Sequence, residues 1–477
     1  MSAPGNILVP LAFLAWTPIV IFLYKKIDAR LVPVIAYVGG WMFLPVANYD
    51  IFLLKNTKST VLGLGIFAGA YFCDKARLLN FKFHIADILI VLWCSASFFS
   101  SVFNGLGVYD GLSTILYSGI KYGLPYYIGR IYFTDTDALK TLALTIFIGG
   151  IIYVPFCWIE MIISPQMHRL TYGFSQTSFA QSLRENGGYR PSVYMDHGLM
   201  TSMWMMLASL LGSWLYYCKA LPQKILKIPS LYLLLMLVFT TMMMQSAGAI
   251  AYLLIGLGVL YISSRYKNFI LVVILLLCPY LYMVARIGYS WDGRNFTDYI
   301  SEKLSPSRAA SLQFRFDNET ILLKKAFEGS FFGLGGWNRS RVFDDQGKDI
   351  AVTDGGWIIV YGVNGIYGLS VFFIMIQLPV LIFLFRLKPE LWKTETYGAP
   401  AVMAVFSSIT QIDNLLNAMF NPIYMVIIGG LIGLFIKNPD SFLAPSDNNI
   451  SDMIERVIAQ GTRFIGASPS RNSTFIR

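Results

Sequence analysis

Residues 268–286 read NFILVVILLLCPYLYMVAR, and no position between Asn268 and Arg286 carries a charge. A bilayer core of roughly 30 Å needs about 20 predominantly apolar residues per helix, so this run predicts a membrane-crossing helix. The same pattern repeats in both directions along the chain. Apolar runs at 7–24, 31–47, 60–73, 84–103, 112–131, 139–163, 193–218, 229–245, 247–264, 364–386, 398–419 and 421–436 bring the expected total to about thirteen. The runs at 60–73 and 421–436 are short enough to be re-entrant.

Composition agrees with that reading. Of 477 residues, 56% are hydrophobic and 13% are charged, and the mean hydropathy is +0.58. Soluble domains carry about 25% charged residues, and a water-facing surface cannot be built from half of that. The expected fold is therefore all-α: a polytopic integral membrane domain over 1–436 and a polar, mostly disordered tail over 437–477 with a weak amphipathic stretch at 450–465. The five cysteines form no CxxC pair, and three histidines are too few for a His-rich metal centre, so a disulfide framework and a zinc site are both disfavoured. The first apolar run lacks a basic leader and a small-residue cleavage site, so no signal peptide is expected.

The net charge of +10 would suggest a nucleic-acid partner in a soluble protein. In a membrane protein it reads as topology, and no nucleic acid is expected. Alternate connections hold Lys25/Lys26/Arg30, Lys75/Arg77/Lys82, Arg130/Lys140, Lys219/Lys224/Lys227, Arg265/Lys267 and Arg386/Lys388/Lys393. Placing that side in the cytoplasm puts the N-terminus outside, the C-terminus inside and two long connections, 164–192 and 287–353, outside. Both long connections are cationic nonetheless, with Arg169, Arg184 and Arg190 in the first. The second has Arg286, Arg294, Lys303, Arg308, Arg315, Lys324, Lys325, Arg339, Arg341 and Lys348 in it or at its edge. Long loops translocate whatever their charge. Arginines gathered at an outer surface also suit an anionic lipid-linked ligand, because guanidinium grips phosphate bidentately.

Within the second connection, Ser305-Pro306 predicts a helix start. Leu312, Phe316, Leu323 and Phe327 follow at helical spacing, opposite Arg308, Arg315, Lys324 and Lys325. Such an amphipathic helix would lie on the bilayer or roof a cavity. Two further segments hold polar chemistry against apolar runs. The first is Arg184-Glu185-Asn186-Gly187-Gly188-Tyr189-Arg190-Pro191 leading to Asp196-His197-Gly198; the second is Gly333-Leu334-Gly335-Gly336-Trp337, then Thr353-Asp354-Gly355-Gly356-Trp357, then Gly365 and Gly368. No Lys-Ser/Thr follows the glycines, so they are not a phosphate loop. Asp354 also reads as a helix N-cap. Asp413 and Asn417, four apart, share one helix face and would either line a cavity or join helices by hydrogen bonds.

In order and spacing these segments resemble the bacterial O-antigen ligase and polymerase superfamily, membrane glycosyltransferases of the GT-C type. The likeness spans 85–436 in topology and about 60 residues in motif, falling on Arg315, Gly333, Gly335, Asp354, Trp357, Gly365 and Gly368, with the Arg190-to-Gly198 segment upstream. It implies transfer of an oligosaccharide from undecaprenyl pyrophosphate to an acceptor hydroxyl at the periplasmic face of a bacterial inner membrane. No metal or other cofactor is implied; a chain-length regulator is a possible partner. Where ligases of the family carry His, this chain carries Asp354, which is more like the polymerases; ligase and lipid flippase are the alternatives. The expected catalytic set is Asp354 and His197 as candidate bases, with Arg190 and Arg315 on the leaving group. Arg184, Arg339, Arg341, Asp196, Asp413 and Asn417 are expected to bind the pyrophosphate or the glycan.

Overall fold

In the computed structural model, residues 5–51, 54–184, 187–303, 305–329, 331–336, 338–352 and 354–437 are described. The expected tail after Lys437 and its stretch at 450–465 lie outside them, as do Glu185, Asn186, Trp337 and Thr353 of the two motifs. The described chain is almost wholly helical. It begins with α1 (Leu8–Lys26) and α2 (Val32–Phe43), a hairpin of β1 (Asn48–Ile51) and β2 (Leu54–Thr57), then α3 (Lys58–Cys73) and α4 (Lys75–Leu79). It continues through α5 (Ile88–Phe103), α6 (Val108–Ser118), a π turn at Gly119–Gly123, α7 (Leu124–Tyr132), α8 (Thr136–Ile163) and short α9 (Met167–Tyr172). Next come α10 (Gly198–Tyr217), a two-residue ladder of β3 (Lys224–Ile225) and β4 (Ile228–Pro229), α11 (Ser230–Met243), α12 (Ala247–Tyr266) and α13 (Ile270–Gly288). After α14 (Arg294–Lys303) and α15 (Pro306–Ala326) the chain closes with α16 (Gly356–Arg386), α17 (Gly398–Leu416) and α18 (Pro422–Lys437).

Among the described residues, seven helical stretches are long and apolar enough to cross a membrane: α1, 85–103, α8, α10, α12, α13 and α16. This is a polytopic all-α membrane architecture. Each of the other expected runs is helical but misses that length or apolarity for a local reason. Helices α2, α3, α11 and α18 are shorter, and the 112–131 run is α6 and α7 joined by the π turn that carries Lys121. Helix α17 is polar at its lower half, with Ser407, Ser408, Thr410, Gln411, Asp413 and Asn414 all buried. It packs with α10 and α18 at the centre of the bundle, where nearly every residue is buried.

Contacts between connections sort the bundle into two ends. At one end Lys140 pairs with Glu395 (2.7 Å) and Lys267 with Glu390 (3.1 Å). Trp214 Nε1 and Cys218 Sγ reach Trp392 O, Lys437 Nζ donates to Thr134 Oγ1, and Tyr132 OH donates to Asp74. The lysine-rich connections therefore gather at that end. At the other end Asn6 N donates to Tyr172 O and Gln245 Nε2 to Gly187 O, while Arg315 Nη1 donates to Leu416 O. Both long connections share this second end, as the alternation of charge predicts.

Two expected boundaries shift, and so does one expected helix face. The run at 193–218 becomes helical only at Gly198, because Ser192–Asp196 is irregular and Val193 has φ 52°. Helix α16 starts at Gly356, eight residues before the expected 364, and breaks at Gly365 (φ 66°, ψ −165°). The apolar face of α15 is formed by Ala309, Phe316, Leu322, Leu323 and Ala326, whereas Phe327 is 55% exposed and does not belong to it.

The break in α16 is where the two glycine motifs meet. Leu334 N donates to Gly362 O (2.9 Å), Gly335 N to Val363 O (3.1 Å) and Tyr367 N to Phe331 O (3.3 Å). A Cβ at Gly365 would stand 2.2 Å from Phe331 O, and one at Gly333 would stand 2.4 Å from Gly365 N. These glycines allow two backbones to touch and give the turn a structural role. Gly365→Ala should therefore destabilise the protein by about 1–3 kcal/mol, read as a lower thermal midpoint in detergent. Gly258→Ala, in α12 with nothing within 4 Å of the new Cβ, should lower it by nothing.

Candidate functional site

The first long connection owes its shape to one buried carboxylate. Glu160, near the end of α8, is fully buried. Its Oε1 accepts from Met167 N (2.8 Å), and its Oε2 accepts from Ser192 N (2.9 Å) and Val193 N (2.7 Å). Tyr153 OH accepts from Tyr194 N, buried Lys58 Nζ donates to Tyr194 O (2.6 Å), and Gln176 Nε2 donates to Val193 O and Met195 O. Side chains thus satisfy an irregular backbone that neither a helix nor a sheet could. Just before it, Arg190 N donates to Ser182 O (2.7 Å) and Arg184 N to Gly188 O (3.2 Å), closing a hairpin whose turn uses Gly187 (φ 84°) and Gly188 (φ 75°). The stem of Arg190 lies on Gly198, where a Cβ would come within 2.7 Å of its Cδ.

That hairpin places Arg184 and Arg190 on a cavity of about 390 Å³, across from Arg308 and Arg315 of α15. Asp413 and Asn417 form its floor, and Gln245 to Ala249, at the start of α12, form a further wall. Four guanidinium groups face one carboxylate. The amino ends of α10, α12 and α15 also meet there, adding the positive ends of three helix dipoles. Burial first, then the charges of Arg184 and Arg315, push Arg190 down to about 10. Its Nε is buried and has no hydrogen-bond partner among the described residues. A buried donor without an acceptor costs roughly 1–3 kcal/mol.

Arg315 is the centre of this set. Its Nη1 donates to Asn417 Oδ1 (3.2 Å) and its Nε lies 3.7 Å from Asp354 Oδ2. Asn417 in turn donates to Asp413 Oδ1 (2.6 Å). Asp354 does not cap α16: the cap position is Gly355, and the Gly356 amide is taken by Asn417 O (3.1 Å). Its carboxylate is instead 39% exposed beside Arg315. Asp413 and Asn417 line the cavity and bond to each other within one helix end, and Asn417 Oδ1 also accepts from Arg315 of α15.

His197 needs a correction. A pKa near neutrality is expected from sequence, but burial, followed by the fields of Arg190, Arg315 and Arg184, pushes it down to about 4. Its Nδ1 accepts from Leu199 N (3.0 Å), capping α10, and its Nε2 lies 3.2 Å from Gln181 Oε1. The ring is therefore neutral with its proton on Nε2, and its lone pair is already engaged. That fits a helix cap better than a base.

Three expected binding residues lie off the cavity. Arg339 Nη1 donates to Asn104 O (3.2 Å) and Arg341 pairs with Asp349 (2.9 Å); both hold the 338–352 segment in place. Asp196 lies in the field of Lys58 and lines no part of the cavity wall. Sequence reasoning missed Glu160, the start of α12 and the role of Arg308. The last had a signal, since Arg308 and Arg315 are seven apart and so share a helix face. It also missed Glu319, buried on α15, which pairs with Arg286 and accepts from Trp357 Nε1 (2.9 Å) and Tyr282 OH. That cluster fixes α15 against α13 and α16 and removes Arg286 from the candidate ligands.

Fold and site together define a membrane-embedded helical protein with an arginine-lined cavity at one end. No family model matches the chain, and no curated protein matches it.

The depressed His197 has a consequence for stability. Between pH 6.5 and about 4 the unfolded chain binds this proton and the folded chain does not, so stability falls as pH drops through that window. His197→Asn keeps a capping side chain and should flatten that part of the profile, measured as thermal midpoint against pH for both proteins. Equal pH slopes would show that His197 is not held neutral.

Proposed function

We propose that the protein is a glycosyltransferase that moves an oligosaccharide from a polyprenyl diphosphate carrier to a sugar hydroxyl at the outer face of a bacterial inner membrane. The observation that carries this reading is the convergence of Arg184, Arg190, Arg308 and Arg315 on one cavity, at the end of the bundle opposite the lysine-rich connections. With those connections in the cytoplasm, the cavity faces the periplasm and receives a diphosphate whose lipid stays in the bilayer.

In the reaction the acceptor oxygen bonds to the anomeric carbon while the bond from that carbon to the phosphate oxygen breaks, and the diphosphate leaves with the electron pair. Charge builds on the leaving group, and preorganised cations in a water-poor site stabilise it most. Arg190 and Arg315 face that oxygen, with Arg184 and Arg308 beside them. Asp354, which lines a smaller pocket that shares Arg315 with the cavity, takes the acceptor's proton. Asp413 and Asn417 orient Arg315 and the sugar.

An acidic group beside Arg315, rather than a histidine, favours polymerase over ligase within the family that the sequence resembles. A lipid transporter would place its site near the midplane at broken helices. Here the break in α16 is filled by the backbone of Phe331–Gly335, and the cationic groups stand at one end.

Reconstituted protein supplied with a lipid-linked repeat unit should make longer lipid-linked glycans. Asp354→Asn should lower turnover by about 10²–10⁴ with donor affinity little changed, measured by single-turnover assay; turnover within tenfold of wild type would remove Asp354 as the base. Arg315→Lys, which loses the forked contact, should lower kcat by about 10²–10³.

A further inference from the structure

A second cavity of about 320 Å³ lies between α8 and α11, lined by Trp158, Met161, Ile162, Phe239 and Met243 and closed toward the cationic site by Gly187, Gly188, Tyr189 and Gln245. None of these nine residues is charged. Trp158 is fixed there, because its Nε1 donates to Thr240 Oγ1 (2.9 Å), which leaves the apolar faces of the indole free to pack. Phe239 is 55% exposed and Met243 47% exposed, so the groove opens on the side of the bundle.

What makes this groove more than a lipid-facing surface is its partition from the arginine cavity. Gln245 lines both. The hairpin that presents Arg184 and Arg190 on one side offers Gly187 and Gly188 on the other, and at these positive-φ positions no side chain raises the wall. Gln245 Nε2 reaches Gly187 O at 3.4 Å, a long contact spanning the passage between the two spaces.

We infer that the groove holds the first isoprenoid units of a polyprenyl diphosphate whose headgroup sits among Arg184, Arg190, Arg308 and Arg315. This rests on the diphosphate reading given above and adds a path for the lipid: out of the cavity past Gln245 and over the glycine turn, then down between Trp158 and Phe239 into the bilayer. A cationic cavity joined to an uncharged groove through a two-glycine wall fits an amphiphile with one anionic end. An acyl phospholipid presents a single phosphate, where four arginines line the cavity.

The test measures binding of inorganic pyrophosphate and of farnesyl diphosphate to full-length protein in one detergent. Wild type should prefer farnesyl diphosphate by at least tenfold. Met243→Trp, which fills the groove, and Phe239→Ala, which opens its wall, should each cut that preference several-fold while pyrophosphate affinity stays within twofold. Wild type that binds both probes equally, or variants that keep the full preference, would overturn the groove and leave the cationic site standing. Binding of neither probe to wild type would instead refute the diphosphate reading itself, and the groove with it.

Discussion

Four guanidinium groups held around one cavity repel one another, and the rest of the site exists to hold them there. Burial first, and neighbouring arginines after it, push Arg190 down to about 10 and His197 to about 4. Repulsion of this kind would splay flexible loops. It is resisted by Glu160 on three backbone amides, by the Arg190 stem seated on Gly198, and by Asn417 and Asp354 on Arg315. Under the proposed function, a dianion among these groups would replace that repulsion with attraction, and donors already held in place favour electrostatic stabilisation.

The arginines elsewhere show the contrast. Arg130 is buried against Asp87 (2.9 Å), Arg286 against Glu319, Arg77 beside Asp74 and Arg341 beside Asp349. Each has its own carboxylate, as a buried charge requires. On the cavity the ratio reverses, since the lining holds four arginines and one aspartate. Of the cavity arginines, Arg315 is reached by a carboxylate, that of Asp354 outside the lining, and Arg184 donates to Gln181 O and Ser182 O of its own hairpin.

Much of this architecture was legible in the chain. Apolar run length predicted where helices stand, and the alternation of lysine and arginine predicted that both long connections share an end. Arg184, Arg190, Arg315, Asp413 and Asn417 were expected near one another and do line one space. Less legible was anything set by contacts between distant segments. A lone Glu160 in an apolar run gives no sign that it will hold residues 167, 192 and 193, and the arginines at 339 and 341 look equivalent to Arg315 until Asn104 and Asp349 are seen to engage them. His197 misled for the same reason: its ordinary pKa is a property of the isolated side chain, whereas its neighbours set the value in the fold. The glycine motifs at 333–336 and 365 entered the family resemblance, yet their distance from each other in sequence concealed that they dock on one another.

The most direct measurement is an experimental structure of the full-length protein bound to undecaprenyl diphosphate. The account predicts diphosphate density within hydrogen-bond distance of both Arg190 and Arg315, with the Nε of Arg190 finally paired. A headgroup bound at the lysine-rich end, or one that leaves those two arginines untouched, would contradict it.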